Sequence, residues 1–422
     1  MEKRMVRNVL LGMLASVTGL VDAASPEVSS VTMEQDPVTR TVKIAYELVK
    51  EPGIVTFDIC TNGVSIGAEN IKHAVGDVNR ILPAETSGTI YWPAAKSWPG
   101  HNIKESCVTA RVTAWSTNNP PPVMVLDLKT KAKTFYTHLA QLPGGITDNA
   151  YKTEKLVMKR IPAAGITWTM GDSVSASPAA AHRPHKVSFS EDFYLGVYEV
   201  TQSQLKLATG RERSTFTDFS DVDDADMMPA DKVGYGQVSG STDMQLRGYN
   251  KWPSDGHTIG AGSAIISKFR LYGIDFDLPT SAQWEYACRA GTPNAYNNGS
   301  DSDLDRIGWY TDNSAVNGVK MPHPVGGKDP NAFGLFDMHG NVAEWVLDWY
   351  DPDGFSIKDN EVNPKGLESG ASNYTVARTW RGGHYKSSVS GCASHIYGNR
   401  NWNATLESGF GFRLWAPVGV CE

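Results

Sequence analysis

The chain has 422 residues, room for two or three domains, and its 41% hydrophobic and 20% charged content is that of a folded protein rather than a disordered one. A net charge of −7 and the lack of any dense Lys/Arg stripe argue against a nucleic-acid or anionic-membrane surface. With 40 Gly, 23 Pro and 12 Trp, the chain is too rich in turns for a helix-dominated fold.

The first residues read as a secretory signal. Lys3, Arg4 and Arg7 form a basic head, residues 9–21 are apolar, and Val21 and Ala23 put small residues where a signal peptidase cuts. The apolar run is shorter than the roughly 20 residues a membrane helix needs, so the expectation is a signal peptide over residues 1–23, cleaved after Ala23. The protein is therefore expected to be secreted or periplasmic. No later stretch is apolar for long enough to cross a bilayer. Export permits disulfides, and five cysteines follow: Cys60, Cys107, Cys288, Cys392 and Cys421. Cys60 and Cys107 lie in strand-like runs and form a candidate pair. One of the remaining three is then free, unless it binds a metal or another chain. No CxxC or structural-zinc spacing is present.

Residues 28–33, 41–48, 54–59, 89–92 and 108–115 are rich in β-branched and aromatic residues and separated by Gly, Pro and Asn. They predict a β-sandwich over residues 25–115, fibronectin- or immunoglobulin-like, with nothing catalytic in it. The prolines of residues 116–122 open a linker and connector to residue 154, containing one strand at 123–128. A second domain is expected over residues 155–418. Its clearest helix spans 281–290, where Thr280 and Gln283 form a capping box and Gly291 ends the run; another starts after Thr201 and covers 202–209. The rest reads largely as loop, so the fold class is α+β with little regular structure.

Such a domain needs staples, and residues 331–345 suggest one. Gly340 allows a sharp turn, while Asn341 and Glu344 offer hard oxygen ligands on one short loop, to which backbone carbonyls add. The alternative is a polar turn closed by a buried Trp345.

Several segments stand in a fixed order: Gly171, His182-Arg-Pro-His-Lys-Val187, Phe193-Tyr-Leu-Gly-Val-Tyr-Glu-Val-Thr201, Leu278-Pro-Thr-Ser-Ala-Gln-Trp-Glu-Tyr-Ala-Cys-Arg-Ala-Gly291, Pro330 to Trp345, Arg381-Gly-Gly383 and Gly409-Phe-Gly-Phe-Arg413. Together they resemble the formylglycine-generating enzyme, or sulfatase-modifying factor, family over residues 155–418. The resemblance implies a C-type-lectin-like fold with bound structural calcium. It places calcium ligands at Glu344, at the Gly340 and Val342 carbonyls, and at Asn341 beside them; Asp337 either serves that loop or caps a turn. It also implies a bond from Cys288 to the final strand, which here would move to Cys421.

The family's best-known activity converts a sulfatase cysteine to formylglycine with molecular oxygen and copper, using two cysteines after the Arg-Gly-Gly. The pair suits Cu(I), which favours two soft thiolates. Alignment on Arg381-Gly-Gly383 puts those positions at Ser387 and Cys392, and His384 replaces the serine of the oxygen site. A hydroxyl is a poor Cu(I) ligand. Copper is therefore doubtful, with a degenerate site of Cys392, His384 and His395 as one alternative and a buried or disulfide-bonded Cys392 as the other. The spacing of His182 and His185 also suits a metal, but the resemblance gives that loop a packing role.

Two functions compete. One is an oxidase acting on a sulfatase cysteine or running a related metal-dependent oxidation. The other, preferred because of Ser387, is a lectin-like scaffold binding a protein, peptide or glycan, with Tyr397, Asn401 and Trp402 as the ligand surface. A purely structural role in an exported complex remains a third.

Overall fold

The computed structural model of the protein describes residues 25–102, 105–173, 175–211, 224–235, 264–299, 303–354, 356–367, 377–401 and 408–419. The expected signal peptide and Trp402 lie outside the described residues. Strands dominate, helices are few, and the chain divides into two compact units. One holds the described residues up to Leu126 with Ala132–Asp148 and Gly419; the other holds Asp127–Lys131 and Asn149–Val418.

The first unit contains two antiparallel sheets. Glu27–Gln35, Thr41–Val49, Thr86–Pro93 and Val75–Gly76 form one; Gly53–Thr61, with Val64–Ser65, Ile81–Leu82 and Val108–Trp115, forms the other. Period-two alternation explains the shared core. Val42, Ile44, Tyr46 and Leu48 point inward from Thr41–Val49 while Lys43 and Glu47 face solvent, and Val55, Phe57 and Ile59 meet them from the other sheet. Residues 116–154, expected as a linker and connector with one strand at 123–128, contain that strand as Val123–Asp127. Pro120 and Pro121 are buried, Val123–Asp127 pairs with Lys133–Tyr136, and the Phe135 N–H donates to Asn79 O at 2.8 Å. Four consecutive apolar side chains, Val123 to Leu126, are all buried.

Cys60 and Cys107 are both free thiols, correcting the expected disulfide. Register is the reason. Cys60 stands opposite Thr109, whereas Cys107 O accepts from the Asn62 N–H two positions along. Diagonal neighbours on paired strands are roughly 7–8 Å apart, beyond ordinary disulfide reach.

In the second unit the two predicted helices form where their caps place them. Thr201 and Thr280 each accept the N–H of the residue three along, and Gln204 and Gln283 reciprocate, giving helices Gln202–Thr209 and Ser281–Arg289. Gly210 and Ala290 end them in left-handed conformations. The strand Ala343–Trp349 is buried throughout; it pairs antiparallel with Ala377–Arg381 and parallel with Phe410–Gly411, and Tyr397–Asn401 extends the sheet. Lys155–Ile161, Phe193–Gly196 and Trp415–Pro417 form a second antiparallel set. The Ser281–Arg289 helix packs Trp284, Ala287 and Cys288 into a core with Phe193, Leu195, Met338 and Val346. No helix among the described residues is long and apolar enough to cross a membrane.

Candidate functional site

The Arg381-Gly-Gly383 segment turns sharply because two successive glycines are left-handed, Gly382 at φ 86° and Gly383 at φ 69°. A Cβ on Gly383 would lie 2.6 Å from Gly391 O and 2.9 Å from Cys392 Sγ, so the turn folds directly onto the short helix Ser390–Cys392. Cys392 is fully buried beside Tyr296, Leu304, Ile307, Tyr310 and Ala393, and that burial pushes its thiol up to about 12. The Ser387 hydroxyl accepts the His384 backbone N–H at 3.0 Å. The His384 ring rests between Tyr385 and Phe410, its Nδ1 accepts the Lys386 N–H at 3.1 Å, and burial with the nearby Lys386 charge depresses it to about 4. His384 and Ser387 thus bond to each other within the loop, while Cys392 packs among apolar side chains.

A second buried thiol of this unit, Cys288, is free and not tied to the tail, correcting the expected disulfide; Cys421 lies outside the described residues. Its Sγ is 3.6 Å from His339 Nε2, and His339 Nδ1 is 2.8 Å from Cys392 O. Burial raises the Cys288 thiol and lowers His339 to about 4, so both groups are neutral near pH 7. The thiolate, not the thiol, is the soft metal ligand, so a metal at either thiol has a proton to displace. Of the two expected copper positions, one carries the Cys392 thiol and the other the Ser387 hydroxyl, a poor Cu(I) ligand. Among the described residues, no group of three His, Cys, Asp or Glu side chains is arranged to hold a metal.

The loop around Gly340 has a clear architecture. Gly340 is left-handed at φ 89°, its N–H donates to Gly382 O at 2.8 Å, and a Cβ there would lie 2.0 Å from Trp309 O. The side chains expected to bind calcium are already partnered. Asn341 Oδ1 accepts the His323 N–H at 2.9 Å, and its Nδ2 donates to Glu199 Oε2 at 2.7 Å. The Asn341 carbonyl accepts the Tyr385 N–H. Glu344 is gripped by Arg413, through Nη2 at 2.8 Å and Nε at 3.1 Å, and by the Trp284 indole N–H at 2.7 Å. Arg413 also donates to the Gly196, Val197 and Phe336 carbonyls, so the Gly-Phe-Arg, Asn-Val-Ala-Glu and Trp-Glu-Tyr segments lock together.

Asn341 and Glu344 therefore act as anchors of the packed chain, and the calcium fit is partial. The atom left over is Asp337 Oδ1, buried without a partner, while Oδ2 accepts the Gly326 N–H at 2.6 Å. Burial raises Asp337 to about 6 and Glu199 well above its ordinary value, each aggravated by neighbouring carboxylates and opposed by Arg413. Three buried carboxylates here face one guanidinium.

A second polar hub was not singled out from sequence. Glu285 Oε1 accepts the Gly171 N–H at 2.8 Å and Arg289 Nε at 2.9 Å, and Oε2 pairs with Arg381 Nη1 at 3.1 Å. Burial raises Glu285, but Arg381 and Arg289 outweigh it and hold the carboxyl below its ordinary value. Beside this hub lies a pocket of about 50 Å³ lined by His182, Glu285, Asp348, Arg381, His395 and Tyr397. Arg381 Nη2 and the Trp349 indole N–H border it without acceptors.

Of the residues expected to form a ligand surface, Tyr397 is a half-buried pocket wall. Its hydroxyl donates to Asp351 O at 2.9 Å, and its ring meets the Arg381 guanidinium at 4.9 Å and the edge of His182. Asn401 ends the strand Tyr397–Asn401. His182 stands with His395 rather than with His185, and burial lowers it to about 4. The signal that pointed to the hub was the motif order itself: Gly171, Glu285, Arg289 and Arg381 are its members.

Residues 152–416 match the Sulfatase-modifying factor enzyme 1-like domain. The chain is 28% identical over 219 residues to the chaperone protein LppX of Paenibacillus barcinonensis, covering 43% of this chain and 73% of LppX. It is 30% identical over 150 residues to the formylglycine-generating enzyme of Bos taurus, covering 33% of this chain and 38% of that enzyme. The chain therefore spans well under half of the curated enzyme's length. The solved structure of Treponema denticola variable protein 1 covers 62% of this chain and 95% of its own, at 23% identity and a TM-score of 0.49. With the family domain matched over more than half its length, this chain belongs to the formylglycine-generating enzyme, or sulfatase-modifying factor, family.

Proposed function

We propose that this protein is an exported binding member of its family, a lectin-like scaffold for a protein, peptide or glycan, and not a copper oxidase. The observation that carries this reading is the buried Cys392 with a hydroxyl, Ser387, in place of its twin. Two thiolates on Cu(I) supply oxygen activation in the family's chemistry; here a hydroxyl replaces one thiol and braces the loop. The relative LppX, described as a chaperone protein, supports a binding role for a domain of this family. The side of the pocket formed by Arg381, His395 and Tyr397 is the proposed recognition surface, with Asn401 and Trp402 following Tyr397 in the chain.

Three further parts belong to this reading. The first unit serves as a fibronectin- or immunoglobulin-like spacer, supported by its two antiparallel sheets and single core. Export is supported by the basic and apolar pattern of residues 1–23, and the secreted polypeptide is expected to begin at Ala24. A structural calcium is supported by Asp337 Oδ1 and the excess of buried carboxylates, and relies on backbone carbonyls for the rest of its shell.

Elemental analysis and oxygen consumption test the whole. The purified chain should carry calcium, take up no stoichiometric Cu(I), and consume no oxygen with a cysteine peptide. Stoichiometric copper with thiol-dependent oxygen uptake overturns the scaffold reading in favour of the oxidase.

A further inference from the structure

We propose that the open end of the two-sheet unit is a binding site for an amphipathic carboxylate, a fatty or aryl acid. A cavity of about 740 Å³ opens there between the two sheets. Interiors pack nearly as densely as organic crystals, whereas sites of roughly 300–1,000 Å³ are those that take small molecules. Met33, Val42, Ile59, Trp92, Trp98 and Val108 give it an apolar lining. These side chains belong to the core of the unit or pack against it, so the cavity is a continuation of the core rather than a surface dent.

Two polar features define the headgroup. Trp92 is only 2% exposed, and its indole N–H has no acceptor, although a buried indole normally finds one. A ligand oxygen would satisfy it. At the rim, Arg40 makes no side-chain hydrogen bond or ion pair among the described residues. Its backbone is fixed by a tight turn in which Asp36 Oδ1 accepts the Val38 and Thr39 N–H groups and Asp36 O accepts that of Arg40. Glu34, the carboxylate in the lining, is paired with Lys43 at 3.4 Å. Among the described residues that line the cavity, Arg40 is thus the charge without a side-chain partner, and an anionic headgroup complements it. His101 stacks on one face of Trp98 at 3.9 Å.

The test is calorimetric titration of the full chain with dodecanoate, below its micelle-forming concentration, and with dodecanol as the neutral comparator. One saturable dodecanoate site is expected. Arg40→Gln, on an exposed turn, should weaken dodecanoate at least five-fold and leave dodecanol unchanged. Trp92→Phe should weaken both ligands; should that variant fail to fold, Arg40→Gln decides alone. Absence of saturable dodecanoate binding overturns the proposal, as does an Arg40→Gln variant that binds dodecanoate like the parent chain.

Discussion

Asp348 shows how one buried carboxyl makes stability depend on pH. It accepts the Ser281 N–H at 2.6 Å, yet burial still raises it to about 7 despite Arg381 and Arg378 nearby. A carboxyl whose folded value lies above its unfolded one favours the fold only while protonated. Its contribution is complete below about pH 4 and is lost as pH rises towards 7, by an amount on the order of 4 kcal/mol. Asp348→Asn keeps an acceptor for Ser281 and cannot ionise. Chemical denaturation at pH 4 and pH 7 should therefore show a smaller loss for the variant than for the parent; equal losses would remove Asp348 as the cause. Gly383 shows the limit of sequence at this scale. The Arg-Gly-Gly motif located the turn and aligned Ser387 and Cys392, but only packing shows Cys392 pressed against that turn with no access to solvent.

Elements were most legible where local chemistry alone decides them. Thr201 with Gln204 and Thr280 with Gln283 announce their helices because a side chain and a backbone N–H three residues apart satisfy one another without distant help. Thr280→Ala and Thr201→Ala should each cost about 1 kcal/mol. A drop of a few degrees in melting temperature without change of fold checks this. The alternation in Thr41–Val49 was equally plain. Elements that depend on register were not legible: the Cys60–Cys107 pairing failed on a two-residue offset between strands.

Across the whole molecule, the order of motifs turns out to describe two buried ion hubs. Calcium chemistry read from Asn341 and Glu344 missed the guanidinium of Arg413 because that partner lies 69 positions from Glu344. Breaking the pair is costly. Arg413→Met leaves Glu344 buried beside Glu199 and Asp337 without a countercharge, an expected loss of roughly 3–5 kcal/mol. Adding Glu344→Gln should restore part of it, and a double-mutant cycle by urea denaturation measures the coupling; strictly additive losses would mean the two side chains do not act as a pair. The same hub also orders events in time. A polypeptide emerging from a ribosome presents Glu344, and the strand that carries it, well before the arginine that neutralises it. Until residue 413 has been made, Glu344 lacks its guanidinium, so this hub can close only well after the strand that carries the acid has emerged.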